Sequence, residues 1–168
     1  MVIEEIMYQH SLNFPDKIAI ISGELRVSYG ELWRKISQAA DWFSSKGWDK
    51  NSRIVISASK NIDFIYTYFG AHLAGMICVP IDPETNAIRL KRIIECASPS
   101  AIIGELRNKD VYDIISFSEV KGTAESTFDF PKGTDRADLL FTTGTTGLPK
   151  GVVLSFSNQL AAVNNIYP

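Results

Sequence analysis

The stretch Thr142-Thr-Gly-Thr-Thr-Gly-Leu-Pro-Lys-Gly151 places four hydroxyls, three glycines and one lysine within a single short segment. A plain turn between strands needs one or two glycines and no cation. Glycines admit positive φ and let backbone N–H groups close on an anion. Threonine hydroxyls donate to phosphate oxygens, and Lys150 adds a mobile charge of the right sign. Pro149 stiffens the chain just before that lysine. These residue types point to a phosphate cradle. It is not a Walker A loop, which needs Gly-Lys-Ser/Thr and a helix directly after it. Here Lys150 follows Pro149, and the β-branched run Val152 to Leu154 comes next.

Other chemistry-bearing residues read as structural. His10 and His72 are far apart, and His72 lies on an apolar helix beside Tyr68 and Leu73, as a satisfied interior imidazole would. Trp33, Trp42 and Trp48 fall around one helix and its end, which suits core and rim packing better than a platform for stacked bases. Asp82 before Pro83 is turn chemistry, with no second carboxylate placed to pair with it. Lys50, Arg53 and Lys60 read as solvated charges. Cys78 and Cys96 show no metal-binding or CxxC spacing and read as reduced core positions.

The elements that must carry the loop follow from periodicity. After an amphipathic opening through Leu12, Lys17–Ser22 and Leu25–Ser28 read as a hairpin turning at Gly23-Glu24. Ser28 and Glu31 form an S-x-x-E capping box for a helix with Leu32, Ile36, Ala39 and Phe43 on one face, closed at Gly47. Strands at 53–57 and 76–81 flank a helix capped by Asn61 and ended by Gly75. A helical face follows at Leu90, Ile93, Ile94 and Ala97, then short strands at 101–103 and 114–116. Strands alternating with helices predict an α/β fold, a mostly parallel sheet flanked by helices. Residues 1–168 read as one region: a βαβ part over 1–120, a connection over 121–138, and 139–168 carrying the loop, its following strand and a last helix capped by Ser157 and running to Tyr167 and Pro168.

The length suits one domain with a real core. Seventeen basic residues against nineteen acidic ones leave a net charge of −2, which gives no general attraction for nucleic acid or an anionic membrane. Glu4 and Glu5 stand where a signal peptide would want Lys or Arg, and no apolar run is long enough to span a bilayer. A cytoplasmic protein is the expectation.

The loop, from Phe141 to Val152, resembles the signature loop of the adenylate-forming enzymes: acyl- and aryl-CoA synthetases, peptide-synthetase adenylation domains and luciferases. Val27-Ser-Tyr-Gly-Glu-Leu32 resembles that family's L-T-Y-x-E-L segment, and Ala74-Gly-Met-Ile-Cys-Val-Pro-Ile-Asp-Pro83 resembles its A-G-x-x-x-V-P-I-D-P segment. The resemblance covers nearly the whole chain, as an N-terminal portion. It implies a two-step ligase in which a carboxylate attacks the α-phosphate of ATP and a thiol then takes the acyl group from the adenylate. It assigns the β- and γ-phosphates to Thr142, Thr143, Gly144, Thr145, Thr146, Gly147 and Lys150, with Mg²⁺ accompanying the nucleotide. The thiol would belong to CoA or to the phosphopantetheine of a carrier protein.

Two departures matter. The family often carries His after the Ser or Thr that follows the loop's strand, on the substrate side, whereas Phe156 follows Ser155 here. Its Tyr-Gly-x-Thr-Glu segment, ribose-binding Asp, hinge and C-terminal catalytic lysine are absent by residue 168. The expectation is therefore an N-terminal fragment that holds no complete catalytic set and self-associates through uncovered apolar faces. A stand-alone phosphate- or nucleotide-binding module and an assembly piece that inherited the loop stay open as alternatives. The acyl pocket of the family is built mainly from later residues, so the carboxylate is not named. Val79–Pro83 leans toward the amino-acid-activating branch, and the start at Met1 toward a free-standing enzyme.

Overall fold

The computed structural model describes residues 1–107, 112–143 and 149–166. The chain runs α1 (Ile3–Asn13), β1 (Ile18–Ser22), β2 (Leu25–Ser28), α2 (Tyr29–Ser44), β3 (Arg53–Ser57), α3 (Ile62–Leu73), β4 (Ile77–Ile81), α4 (Ala87–Ala97), β5 (Ala101–Ile103), β6 (Arg136–Thr143), β7 (Pro149–Ser155) and α5 (Phe156–Ile166). β1 and β2 form a separate antiparallel hairpin. The other five strands form one sheet in the order β5-β3-β4-β6-β7, parallel except where β7 returns beside β6.

Parallel neighbours need a crossover, and strand twist makes such crossovers right-handed. From β3 the chain moves one way to β4, and from β4 it moves back past β3 to β5, so the two crossover helices fall on opposite faces. The alternation along each strand shows this. Ile54, Ile56 and Cys78 pack with Ala39 and Phe43 of α2 and Ala71 of α3. Val55, Val79 and Ile81 pack with Leu90, Ile93 and Ala97 of α4. Register agrees, with Ile54 opposite Cys78 and Val55 opposite Val79.

Local signals account for most boundaries. Ser28 Oγ accepts from the Glu31 N–H at 3.2 Å, Asn61 Oδ1 from Asp63 at 2.9 Å, and Asn86 Oδ1 from Arg89 at 2.9 Å, each satisfying a first-turn donor. Asp82 Oδ1 accepts from the Glu84 N–H at 2.8 Å, the turn expected before Pro83. Trp42 and Trp48 join the core beside Phe43, and Trp33 packs on Tyr8 and Phe130.

Several boundaries and roles differ from the sequence expectation. Residues 114–116 form no strand; Ile115 makes one parallel bridge to Ile103. Ser116 instead opens a 3-10 turn, Phe117–Glu119, with a complete capping box that draws the backbone out of the sheet. β6 begins at Arg136, so the connection is three residues shorter than expected. That connection is pinned: Asp41 Oδ2 accepts from Thr123 Oγ1 and from the Glu125 N–H, both at 3.0 Å. Ser155, not Ser157, caps α5, exchanging bonds with Asn158: its hydroxyl accepts from the Asn158 N–H at 3.3 Å, and Asn158 Oδ1 accepts from its N–H at 2.9 Å. Tyr167 and Pro168 lie outside the described residues. Arg53 is no free solvated charge: it donates to the Ala97 and Ser98 carbonyls at the end of α4, where cations complement the helix dipole. Cys78 is buried as expected, but Cys96 is exposed on α4.

The α2–α3 contact is made at Gly70. A Cβ there would lie 2.5 Å from Ala39 Cβ and 2.9 Å from the Ala40 backbone nitrogen. In an open helix Gly→Ala gains about 1 kcal/mol. Gly70→Ala is expected to lose roughly 1–3 kcal/mol through overpacking. Urea denaturation of both proteins checks the sign, and a more stable variant would disprove the close contact.

Candidate functional site

Because β6 runs parallel to β4, with Asp138 opposite Cys78, it leaves the sheet at the same edge as the carboxyl ends of β3, β4 and β5. β3 and β4 are neighbours whose following helices take opposite faces, and open α/β sheets bind ligands in the crevice that such a divergence leaves. A cleft of about 710 Å³ lies there, lined by Ser59, Pro83, Glu84, Glu105, Leu106 and Arg107. An exposed Arg107–Glu84 ion pair at 3.2 Å stands on its wall.

β6 and β7 bring the two ends of the glycine–threonine loop together. Thr142 sits opposite Lys150 and Thr143 opposite Pro149. Directly opposed residues of an antiparallel pair project to one face, so the Thr142 hydroxyl and the Lys150 ammonium share a side. Both side chains are exposed, as an anion site needs. Gly151 lies opposite Phe141, and a Cβ there would come within 2.9 Å of Leu139 Cδ1. That glycine thus serves packing at the base of the hairpin. Gly144, Thr145, Thr146 and Gly147 lie outside the described residues.

Behind the hairpin lies a buried polar network that sequence reasoning caught only at His72. The imidazole is fully buried; Nδ1 donates to Glu4 Oε1 at 2.9 Å, and Nε2 lies 3.5 Å from Asp138 Oδ1. Tyr68 Oη donates to Asp138 at 2.9 Å, and Gln159 Nε2 donates to Asp138 Oδ2 at 2.7 Å and to Tyr68 Oη at 2.8 Å. Burial works against a charged imidazole, yet Cys78, Asp138 and Glu4 around it raise the His72 pKa well above its ordinary value. Burial, then the neighbouring Cys78 and Asp138, holds the Tyr68 phenol protonated as a donor. Glu4 read in sequence as an ordinary N-terminal charge; its i, i+4 partners on α1 give no sign of burial. Phe156 is buried as well, its ring centre 4.9 Å from the His72 ring centre in an edge-on arrangement and its side chain against Val2 and Ala137. The Phe156 side chain therefore faces the core.

Residues 8–167 match the family model described as AMP-binding enzyme. The chain belongs to the AMP-binding (adenylate-forming) enzyme family. It is 30% identical over 162 aligned residues to tyrocidine synthase 1 of Brevibacillus parabrevis, covering 90% of this chain and 15% of that protein. It is 32% identical over 150 residues to D-alanine–D-alanyl carrier protein ligase of Streptococcus equi subsp. equi, covering 84% of this chain and 29% of the other. Among solved structures, the Klebsiella oxytoca NpsA N-terminal subdomain in complex with 3-hydroxyanthranilyl-AMSN superposes with a TM-score of 0.81 at 19% identity, over 92% of this chain and 40% of that one. The α/β fold with its mostly parallel sheet is thus the N-terminal portion of the family's architecture. The chain spans less than a third of the length of these curated relatives.

For an AMP-binding enzyme, the described ends of the loop suit phosphate: a hydroxyl donor and a cation face each other on an exposed hairpin. They do not supply a divalent-cation site. Among the described residues, the one grouped set of metal-ligand types is His72, Cys78 and Asp138, which is buried and includes a thiol. Mg²⁺ prefers hard oxygen ligands and keeps several waters. No helix among the described residues is long and apolar enough to cross a membrane.

The network predicts a pH dependence. A folded His72 pKa above its unfolded value of about 6.5 means that the native state holds a proton which unfolding releases at higher pH. Its stabilisation is complete below that unfolded value and is lost as pH rises through the raised folded value. Glu4→Gln, which removes one buried partner, is expected to cost roughly 3 kcal/mol near neutrality. Urea denaturation at a series of pH values should show the wild-type advantage shrinking on the alkaline side. A constant difference across the series would mean that His72 is neutral in the fold.

Proposed function

We propose that this chain is the phosphate-binding N-terminal part of a carboxylate-activating, AMP-forming ligase that by itself does not complete the reaction. The observation that carries this reading is Thr142 facing Lys150 across the β6–β7 hairpin at the carboxyl edge of the sheet. Thr142, Thr143, Gly144, Thr145, Thr146, Gly147 and Lys150 hold the β- and γ-phosphates of ATP. A carboxylate oxygen bonds to the α-phosphorus, the bridge to the β-phosphate breaks, and pyrophosphate leaves with the negative charge that oriented amides and Lys150 stabilise. A thiol sulfur then bonds to the acyl carbon, and AMP departs. Mg²⁺ travels with the nucleotide, and no step is assigned to it on this chain's residues. The carboxylate is an amino acid and the thiol a carrier protein's phosphopantetheine. Similarity to tyrocidine synthase 1 and to a D-alanyl carrier protein ligase supports that branch over a CoA synthetase.

Lys150→Ala is expected to weaken pyrophosphate or ATP binding roughly tenfold, the loss typical of one charge-assisted contact. Isothermal titration of both proteins checks it, and superimposable curves would remove Lys150 from the site. Purified residues 1–168 are expected to show no carboxylate-dependent exchange of pyrophosphate into ATP, because the adenine, ribose and lysine motifs are not in this sequence. Robust exchange would show instead that this chain is a sufficient ligase.

The edge strand β7 and helix α5 expose Val152, Val153, Val163 and Ile166. An unprotected apolar edge of this kind promotes pairing with a second chain. Concentration-dependent dimerisation in sedimentation is the expected outcome, and a monomer at high concentration would refute it.

A further inference from the structure

One long-range side-chain bond fastens the carboxyl end of β6 to α4. Arg89 Nη2 donates to the Phe141 carbonyl at 3.0 Å, and the contact is part-buried. Arg89 sits in the first turn of α4, where its own N–H is held by the Asn86 cap. The start of α4 is therefore fixed at the edge from which β6 departs. Phe141 immediately precedes Thr142, and its register partner Gly151 immediately follows Lys150.

That end of β6 lies beyond the position at which β6 is in register with the interior of the sheet. β6 pairs with β4 at one register position, Cys78 opposite Asp138, three residues short of Phe141. Beyond it β6 pairs with β7, which is itself an edge strand. The Phe141 ring adds packing on the α4 side, against the cluster of Val79, Ile81 and Leu90. Arg89 thus supplies a directional bond from α4 to β6 at the residue that precedes Thr142. A guanidinium on a carbonyl is a charge-assisted bond, stronger and more directional than a neutral one.

We propose that Arg89 is a positioning residue for the phosphate site, acting through the Phe141 carbonyl to set Thr142 opposite Lys150 in the geometry that receives an anion. This rests on the phosphate-binding role given above to Thr142 and Lys150. The residue works on the strand ends and does not itself touch the phosphate.

The test uses residues 1–168 as wild type, Arg89→Met and Arg89→Lys, with inorganic pyrophosphate as the probe. Methionine keeps much of the length of the side chain but cannot donate; lysine can still give one hydrogen bond to the carbonyl. Arg89→Met is expected to speed amide exchange of the β6–β7 strands about tenfold without ligand and to weaken pyrophosphate binding about tenfold. Arg89→Lys is expected to recover most of both. Equal weakening in both variants with unaltered exchange would overturn the proposal, because the guanidinium would then act on the anion directly. Failure of the wild-type chain to bind pyrophosphate would overturn the phosphate reading, and unaltered exchange in Arg89→Met would overturn the anchoring. Exchange without ligand and binding are separate readings, so the two failures are distinguishable.

Discussion

Asp138 is the point on which the hairpin and the helices around it depend. Its carboxylate accepts from Tyr68 and Gln159 and lies beside His72, while its backbone occupies the one register position joining β6 to β4. Through His72 the same network reaches Glu4 on α1. A buried carboxylate without partners is strongly destabilising, so the side chains that satisfy it must all arrive together. This makes the position of β6 conditional on α1, α3 and α5. The network serves as a structural coupling, with the Tyr68 and Gln159 donors both engaged by the Asp138 carboxylate.

From that fixed point the sheet decides where chemistry can occur. β3 and β4 send their helices to opposite faces, and β6 emerges beside β4 at the edge where those helices diverge. Thr142 and Lys150 are therefore presented at the carboxyl edge of the sheet. Their own exposure follows from their place at the end of an edge hairpin, where neither α4 nor α5 covers them. Gly151 completes the arrangement by leaving room for Leu139 and Phe141 underneath.

Membership of the AMP-binding family and the fold agree on the same content: a mostly parallel sheet and its flanking helices, the N-terminal portion of the family's architecture. Phe156, packed on His72, Val2 and Ala137, has no surface left for a small molecule. The aromatic residues Trp33, Tyr8 and Phe130 likewise hold the long connection to α1 and α2 instead of offering a stacking platform.

Short-range features were legible from the residues alone. The Ser28 and Asn61 caps, the β-branched strands, the turn at Asp82 and the glycine–threonine loop each act within a few residues of themselves, where side-chain type and spacing determine the outcome. The box at Ser116 and Glu119 was equally legible, and it competes with the apolar run that suggested a strand. The sequence by itself thus determined the element types, the alternation that makes a parallel sheet, and the chemical character of the loop. Tertiary structure alone decided that Glu4 is buried under His72, that Arg53 closes α4, that Arg89 grips Phe141, and that Thr142 lies opposite Lys150 at the carboxyl edge of the sheet. The first three of those contacts join residues 44 to 68 positions apart. No local pattern specifies them, because partner choice over such distances is set by which helices and strands pack together.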